Sequence, residues 1–330
     1  VSARLTYSSD MELIAGDIGG TKSGLAWVKS EGTATQEVCF EQVYASADFA
    51  TADDLVRQFI VDARQPAAAD TLLLALPGPL RGQHARLTNL EWTLDAADMR
   101  ASLGVARVRF INDFQAAAAG VASLTAADVV ALNPQPVEAG GVRAITGAGT
   151  GLGVAFMLDD AEGRIRSFAS EGGHIDFAPA NATQARLLEH LRARYGHVSW
   201  ERVVSGSAMN DLYRFCCGEL GQPLLSEPLD GAALGVRAET GDAAAAAALD
   251  LFIDLYGAWV GNVALLYQPR GGLYVAGGVA LHLCSRMRSP RFMAAASDKG
   301  RMRGVVEGTP IFLVTQPRLG LLGAIATALA

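Results

Sequence analysis

The chain has 330 residues, half of them hydrophobic and 18% charged, enough for about two domains at roughly 150 residues each and for a large buried core. That composition excludes a disordered tail, a collagen-like fibre and a small disulfide-held scaffold. Twenty-seven Lys and Arg against thirty-four Asp and Glu leave a net charge of −7 with no basic run, so neither nucleic acid nor an anionic membrane surface is an expected partner.

In chain order, residues 1–10 lack the apolar stretch of a signal peptide and precede Met11, so they are expected to be a leader or added segment outside the fold. Residues 12–16, 24–28 and 38–44 read as strands separated by Gly-containing turns, a β-meander. Residues 52–64 have helical spacing through Leu55, Phe59 and Ile60. Residues 72–76 form a near-continuous apolar strand of the kind buried on both faces. Another strand at 108–111 is followed by a helix at 114–123. Strands first and helices after them point to the α/β class.

The pattern then restarts. Strands at 142–146 and 154–158 flank a Gly-rich turn as 12–16 and 24–28 do, at a domain-sized separation, which predicts two related lobes. Residues 133–141 read as a connector. Helices are expected at 182–195, 208–217 and 243–267, a strand at 273–276, and a closing helix at 320–329. The 243–267 stretch carries Asp250, Asp254 and Asn262 and reads as a partly buried helix, because no uninterrupted apolar run of about 18–20 residues is present. Cys39, Cys216, Cys217 and Cys284 have no CxxC spacing, which suits reduced thiols in the cytoplasm better than structural zinc or disulfides.

Four motifs carry chemistry. Gly16-Asp17-Ile18-Gly19-Gly20-Thr21 sits at the tip of the first hairpin. Glycine reaches positive φ without strain, so Gly19 and Gly20 can tighten the turn and aim backbone N–H groups at a polyphosphate. Asp17 could hold Mg²⁺ through water. Gly147-Ala148-Gly149-Thr150-Gly151-Leu152-Gly153 is not a Walker loop, since no Lys-Ser/Thr follows, nor a dinucleotide fingerprint, since a strand follows. Two glycine loops, one per lobe, suit a triphosphate gripped from both sides. A third turn, Ala276-Gly277-Gly278-Val279, would let backbone lie against an adenosine. In Ile111-Asn112-Asp113-Phe114, Asp113 is either a helix N-cap or a carboxylate beyond a strand C-terminus, placed to take a proton from an attacking hydroxyl, with Asn112 orienting the same substrate. Glu171-Gly172-Gly173-His174 and Glu201 offer acceptors without aliphatic padding, which suits a polyhydroxyl ligand.

These motifs, GDIGGT, IND, GAGTGLGVA, EGGHIDFAP, ERVVSG, AGGV and GLLGA, resemble in their order those of bacterial hexokinase-type glucokinases, members of the actin, hexokinase and heat-shock chaperone ATPase superfamily. The resemblance runs from about Met11 to the C-terminus. It implies a two-lobe actin-like ATPase fold around a cleft, each lobe an RNase H-like mixed sheet flanked by helices. The small lobe would comprise 11–111 plus about 317–330 and the large lobe 112–316. It implies transfer of the γ-phosphoryl group of ATP, with Mg²⁺, to the 6-hydroxyl of glucose in a cytoplasmic, glycolytic homodimer. By the same resemblance Asp113 is the catalytic base, and Asn112, Asp113, Glu171, His174 and Glu201 bind the sugar. Gly16, Asp17, Ile18, Gly19, Gly20, Thr21, Gly147, Gly149, Thr150, Gly151, Gly277 and Gly278 bind the nucleotide.

Departures exist. Lys22 follows Thr21 as in the related repressor and sugar-kinase family, yet that family's zinc-binding cysteines are missing between Cys39 and Cys216. In Thr88-Asn89-Leu90-Glu91-Trp92 the glucokinases often carry His and Thr where this chain has Leu and Glu; Asn89 is retained as a sugar contact. The alternative acceptor is another hexose or an amino sugar on the same fold. A sugar-responsive repressor would need an N-terminal helix-turn-helix of about sixty residues, and a non-enzymatic ATPase has no reason to keep Asn112, Asp113, Glu171 and His174 together.

Overall fold

The computed structural model describes residues 11–31, 35–65, 68–78, 80–87, 90–163 and 165–329. The expected leader at 1–10 and the sugar contact expected at Asn89 lie outside these residues. By internal contacts the chain divides into two units, Val1–Ser123 with Arg318–Ala330, and Leu124–Pro317.

The first unit contains β1 (Met11–Ile18), β2 (Lys22–Glu31), β3 (Thr35–Ala45), α1 (Ala52–Ala63), β4 (Thr71–Leu76), β5 (His84–Leu87), β6 (Trp92–Asp95), α2 (Ala96–Leu103), β7 (Arg107–Asn112) and α3 (Asp113–Gly120). Its main sheet has the order β3-β2-β1-β4-β7. The first three strands are the antiparallel meander, and β4 and β7 join in parallel. Parallel neighbours need long crossovers, and α1 and α2 lie within them. Period-two alternation sorts the side chains. Ile14, Leu72, Leu74 and Leu76 face Leu55, Val56 and Phe59 of α1 and Met99 of α2. Leu13, Ala15, Leu73 and Ala75 face Ala116 of α3 and the C-terminal helix. Each fully buried Leu, Ile or Phe contributes ~1.5–3 kcal/mol, and β4, buried along its whole length, is the spine of this unit.

The second unit contains β8 (Val129–Asn133), β9 (Arg143–Ala148), β10 (Leu152–Asp159), β11 (Ile165–Ser170), α4 (Ala182–Tyr195), α5 (Ala208–Leu220), α6 (Gly231–Glu239), α7 (Ala243–Tyr267), β12 (Gly272–Ala276), α8 (Gly278–His282), α9 (Cys284–Met287), α10 (Pro290–Ser297), α11 (Arg303–Glu307) and β13 (Ile311–Val314). Its sheet, β11-β10-β9-β12-β13-β8, repeats the order and strand senses of the first through β13, with β8 added antiparallel at the edge. The helix α7 is long and apolar enough to cross a membrane by length and composition, but 72% of its most apolar window is buried. Leu249, Phe252, Ile253, Tyr256, Trp259 and Val260 make it the central rod of this core.

Helix α12 (Leu319–Leu329) belongs to the first unit, where Leu321, Ala324, Ile325 and Ala328 complete the second face of the sheet. By contacts the first unit extends past β7 to Ser123. The reason is that β7 is paired to β4 through Asn112, and α3 packs directly on α12. A Cβ on Gly323 would overlap the carbonyl oxygen of Ala116, and one on Gly120 that of Leu319, so the two helices touch backbone to backbone. Gly323→Ala should therefore lower stability by about 1–3 kcal/mol, although alanine has the better helix propensity by about 1 kcal/mol. A shift in the urea midpoint at unchanged m-value checks it.

Candidate active site

Asn112 and Asp113 stand where β7 gives way to α3. The N-cap is Asn112 rather than Asp113, because the Asn side chain sits just ahead of the first helical residue. Its Oδ1 accepts from the N–H groups of Phe114 (2.9 Å) and Gln115 (3.1 Å). Its Nδ2 donates to the Gly78 carbonyl at 3.3 Å, where Gly78 has φ +86°. Asp113 is the first residue of the helix, half-buried, and its Oδ1 accepts from the Phe114 N–H at 2.8 Å.

The first glycine motif divides by depth. Gly16 and Ile18 are buried in β1, Ile18 in the core and Gly16 where a Cβ would meet Leu74 Cδ2 at 2.7 Å. They serve sheet packing and offer a ligand no side chain. Gly20 is half-buried and Thr21 and Lys22 are exposed at the tip. Neither Gly19 nor Gly20 adopts the positive φ expected of them. Gly19 is required by proximity instead: its N–H donates to the Lys22 carbonyl at 3.0 Å, and a Cβ would come within 2.6 Å of that oxygen. Two serines brace the turn from below. Ser46 Oγ donates to the Gly19 carbonyl at 2.7 Å and lies 2.9 Å from the buried Ser23 Oγ.

Asp17 is half-buried, with its carboxylate pressed against Gly320 in the first turn of α12, too close for any side chain at that position. Burial pushes its pKa up to about 6, and among the described residues no cationic side chain pairs with it. A carboxylate held desolvated without a cationic partner costs stability. Mg²⁺ fits this donor set, since it commonly takes a single carboxylate plus water and phosphate oxygens.

The remaining residues cluster in the second unit. Gly147 is buried in β9 beneath the Ala276 carbonyl, and Gly149 and Thr150 are exposed with Gly151 half-buried between strands. The Gly149 N–H donates to the Gly151 carbonyl at 2.8 Å, and its own carbonyl accepts from the Gly206 N–H at 2.8 Å. Gly277, φ +97°, brings the third glycine turn against the same loop, since a Cβ there would meet the Ala148 carbonyl oxygen at 2.6 Å. Gly277 and Gly278 are exposed. The turn Gly172–His174 lies against β10, because Gly173 approaches the Leu152 carbonyl too closely for a side chain.

Glu171, His174 and Glu201 come together on this frame. His174 Nε2 lies 4.0 Å from Glu171 Oε2, and His174 Nδ1 lies 3.9 Å from Glu201 Oε1. The other oxygen, Glu201 Oε2, accepts from the Leu152 N–H at 2.9 Å, and a Cβ on Gly151 would come within 2.5 Å of it. One carboxylate therefore touches both the glycine loop and the polyol-type cluster.

The sequence reading missed what holds the loop from beneath. The buried Tyr256 hydroxyl accepts from the Ala148 N–H at 3.1 Å. Trp259 Nε1 donates to Thr146 Oγ1, which donates to the Gly153 carbonyl, both at 2.8 Å. Helical spacing puts Tyr256 and Trp259 on one face of α7, but nothing in their composition points at a loop more than a hundred residues earlier.

A sequence model of the glucokinase family matches residues 14–330. A glucokinase of Synechocystis sp. is 38% identical, over 96% of this chain and 98% of that protein. Among solved structures, glucokinase from an Antarctic psychrotroph aligns with a TM-score of 0.81 and 30% identity, over 96% of this chain and 98% of the other. Glucokinase from Balamuthia mandrillaris in complex with glucose aligns at 0.79 and 24%, over 99% and 96%. The paired sheets are those of the actin-like ATPase fold, and with its motifs, its topology and its relatives in agreement along the chain, the protein belongs to the glucokinase family.

Proposed function

We propose that the chain transfers the γ-phosphoryl group of ATP to the 6-hydroxyl of glucose, giving glucose 6-phosphate and ADP. The observation that carries this reading is the double engagement of Glu201, which accepts from Leu152 of the glycine loop while its second oxygen lies beside His174. A phosphate loop and a hydroxyl-binding cluster that share a carboxylate hold donor and acceptor as neighbours, and phosphoryl transfer asks mainly for such positioning.

In this reading the Glu171 and Glu201 carboxylates accept hydrogen bonds from the sugar hydroxyls, and His174 donates or accepts one. Asn112, with its oxygen committed to the cap, offers its remaining amide hydrogen. Asp113 takes the proton of the 6-hydroxyl as the O6–phosphorus bond forms and the bond from phosphorus to the bridging oxygen of ADP breaks. The turn Gly19–Thr21, through the N–H groups of Gly20 and Thr21, the loop Gly149–Gly151, through those of Thr150 and Gly151, and the Gly277-Gly278 turn receive the nucleotide, the Gly19 and Gly149 N–H groups being spent on closing their own turns. Asp17 would hold Mg²⁺ through water, and the ion when bound neutralises charge on the β- and γ-phosphates. Family resemblance adds a cytoplasmic homodimer serving glycolysis, and the four free cysteines agree with a reducing compartment.

A coupled assay over a panel of hexoses with ATP tests the reading directly, with glucose expected to give the highest kcat/KM. In that assay Asp113→Ala should lower kcat at least about 100-fold with ATP affinity retained; near-normal turnover would remove Asp113 from the base role. Glu171→Gln should raise the sugar KM several-fold and leave the ATP KM in place, and an unchanged sugar KM would make Glu171 structural. Asp17 gives a pH signature in metal-free protein. Its folded pKa of about 6 exceeds the unfolded 3.8, so the buried charge destabilises the fold above pH 6 and is absent below pH 4. The gap corresponds to about 3 kcal/mol. Asp17→Asn should accordingly raise the melting temperature at pH 7–8, with the gain vanishing as pH falls through 6 to 4.

A further inference from the structure

The geometry points to Tyr256 as a positioning residue for the nucleotide: its buried hydroxyl, on the core helix α7, fixes the conformation of the 147–153 loop by accepting the Ala148 N–H. The inference rests on reading that loop as the phosphate site.

Ala148 ends β9, and its peptide group is constrained on every side that matters. Its N–H points down to the Tyr256 hydroxyl at 3.1 Å, and both residues are fully buried. Its carbonyl is crowded by Gly277, where even a Cβ would come within 2.6 Å. The residues before and after it are held as well. Gly147 lies under the Ala276 carbonyl, and the Gly149 carbonyl accepts from Gly206. The neck of the loop is closed by Thr146 Oγ1, which donates to Gly153 and is itself held by Trp259, one helical turn from Tyr256.

A backbone N–H buried away from water must find an acceptor, and leaving one unmade is expensive compared with the modest net value of making it. Without the hydroxyl, the cheapest way to satisfy Ala148 is to rotate its peptide toward solvent. That rotation would strain the Gly149 N–H bond to the Gly151 carbonyl and turn the adjoining N–H of Thr150, at the exposed tip of the loop, out of register with a bound phosphate. Tyr256 itself touches no ligand. It acts through one peptide group, and edge-to-face contacts with the Phe252 and Phe292 rings hold its ring in place.

Tyr256→Phe removes one oxygen from a fully packed ring and is the variant of choice. Three measurements on the whole protein decide the matter. The KM for ATP should rise roughly tenfold with the glucose KM within about twofold of wild type. Amide hydrogen exchange in peptides covering 147–153 should accelerate, while that of α7 and β10 stays slow. The melting temperature should change little. Unchanged loop exchange together with an unchanged ATP KM would overturn the proposal, as would equal rises in both KM values with a large loss of melting temperature, which would make Tyr256 a general core residue. Exchange is measured without ligand and so judges Tyr256 independently of activity. A wild-type protein that fails to bind ATP would sink the phosphate-loop reading, while loop exchange in the variant would still confirm or refute the Tyr256 hydroxyl as what fixes the loop.

Discussion

The hydrogen bond from the Leu152 N–H to Glu201 is the contact on which the functional organisation of the second unit depends. It joins the glycine loop between β9 and β10, proposed above as a phosphate site, to the Glu171, His174 and Glu201 cluster, proposed as the sugar site. The pairing is chemically economical. A carboxylate has about four acceptor positions, so Glu201 can satisfy a backbone N–H and still face a polyol. Because Gly151 has no side chain, the carboxylate reaches the loop without displacing it.

Both units solve the same problem, a glycine loop at the end of a central strand, with the same sheet and different supports. In the first, the turn after β1 is braced by hydroxyl groups of the same meander, Ser46, which donates to the Gly19 carbonyl, and Ser23, which bonds Ser46. In the second, the turn after β9 is braced by the indole and phenol of a distant core helix. The glycines differ in purpose as well. Gly16 and Gly147 sit inside strands, where a neighbouring strand occupies the space of a Cβ. Gly19 allows a tight carbonyl approach, and among the glycines of the three turns Gly277 is the one whose backbone demands left-handed φ. Absence of a side chain therefore does three separate jobs within motifs that look alike.

The first unit also shows how packing far from a site fixes it. The carboxylate of Asp17 and the backbone of α12 meet at Gly320, and α12 meets α3 at Gly323 and Gly120. The helix that begins with Asp113 is thus docked on the helix whose first turn borders Asp17. Close backbone contact leaves little room for relative sliding, so the two carboxylates of this unit are held on a single rigid support.

Much of this was legible in the chain itself. Alternating and continuous apolar runs marked β1 to β4, β7, β9, β10 and β12, and 3.6-residue spacing marked α1, α4, α5, α7 and α12, because those periods follow from backbone geometry alone. The repeat of strand, glycine turn and strand announced the duplicated sheet. What escaped were short elements whose pattern is too brief to register, the β5–β6 hairpin, α2, α6, α8 to α11, β8, β11 and β13, together with the assignment of the α3 cap to Asn112. The motifs singled out the glycine loop and the Glu171, His174 and Glu201 residues that cluster in the second unit, since glycine loops and unpadded carboxylates carry their chemistry locally. Only the folded structure decided that Glu201 bridges two motifs, that Asp17 is desolvated by α12, and that Tyr256 holds Ala148. Each of these is a contact between segments far apart in sequence, and hydrogen-bond partners at such distances are chosen by packing in three dimensions, which no local pattern of residues encodes.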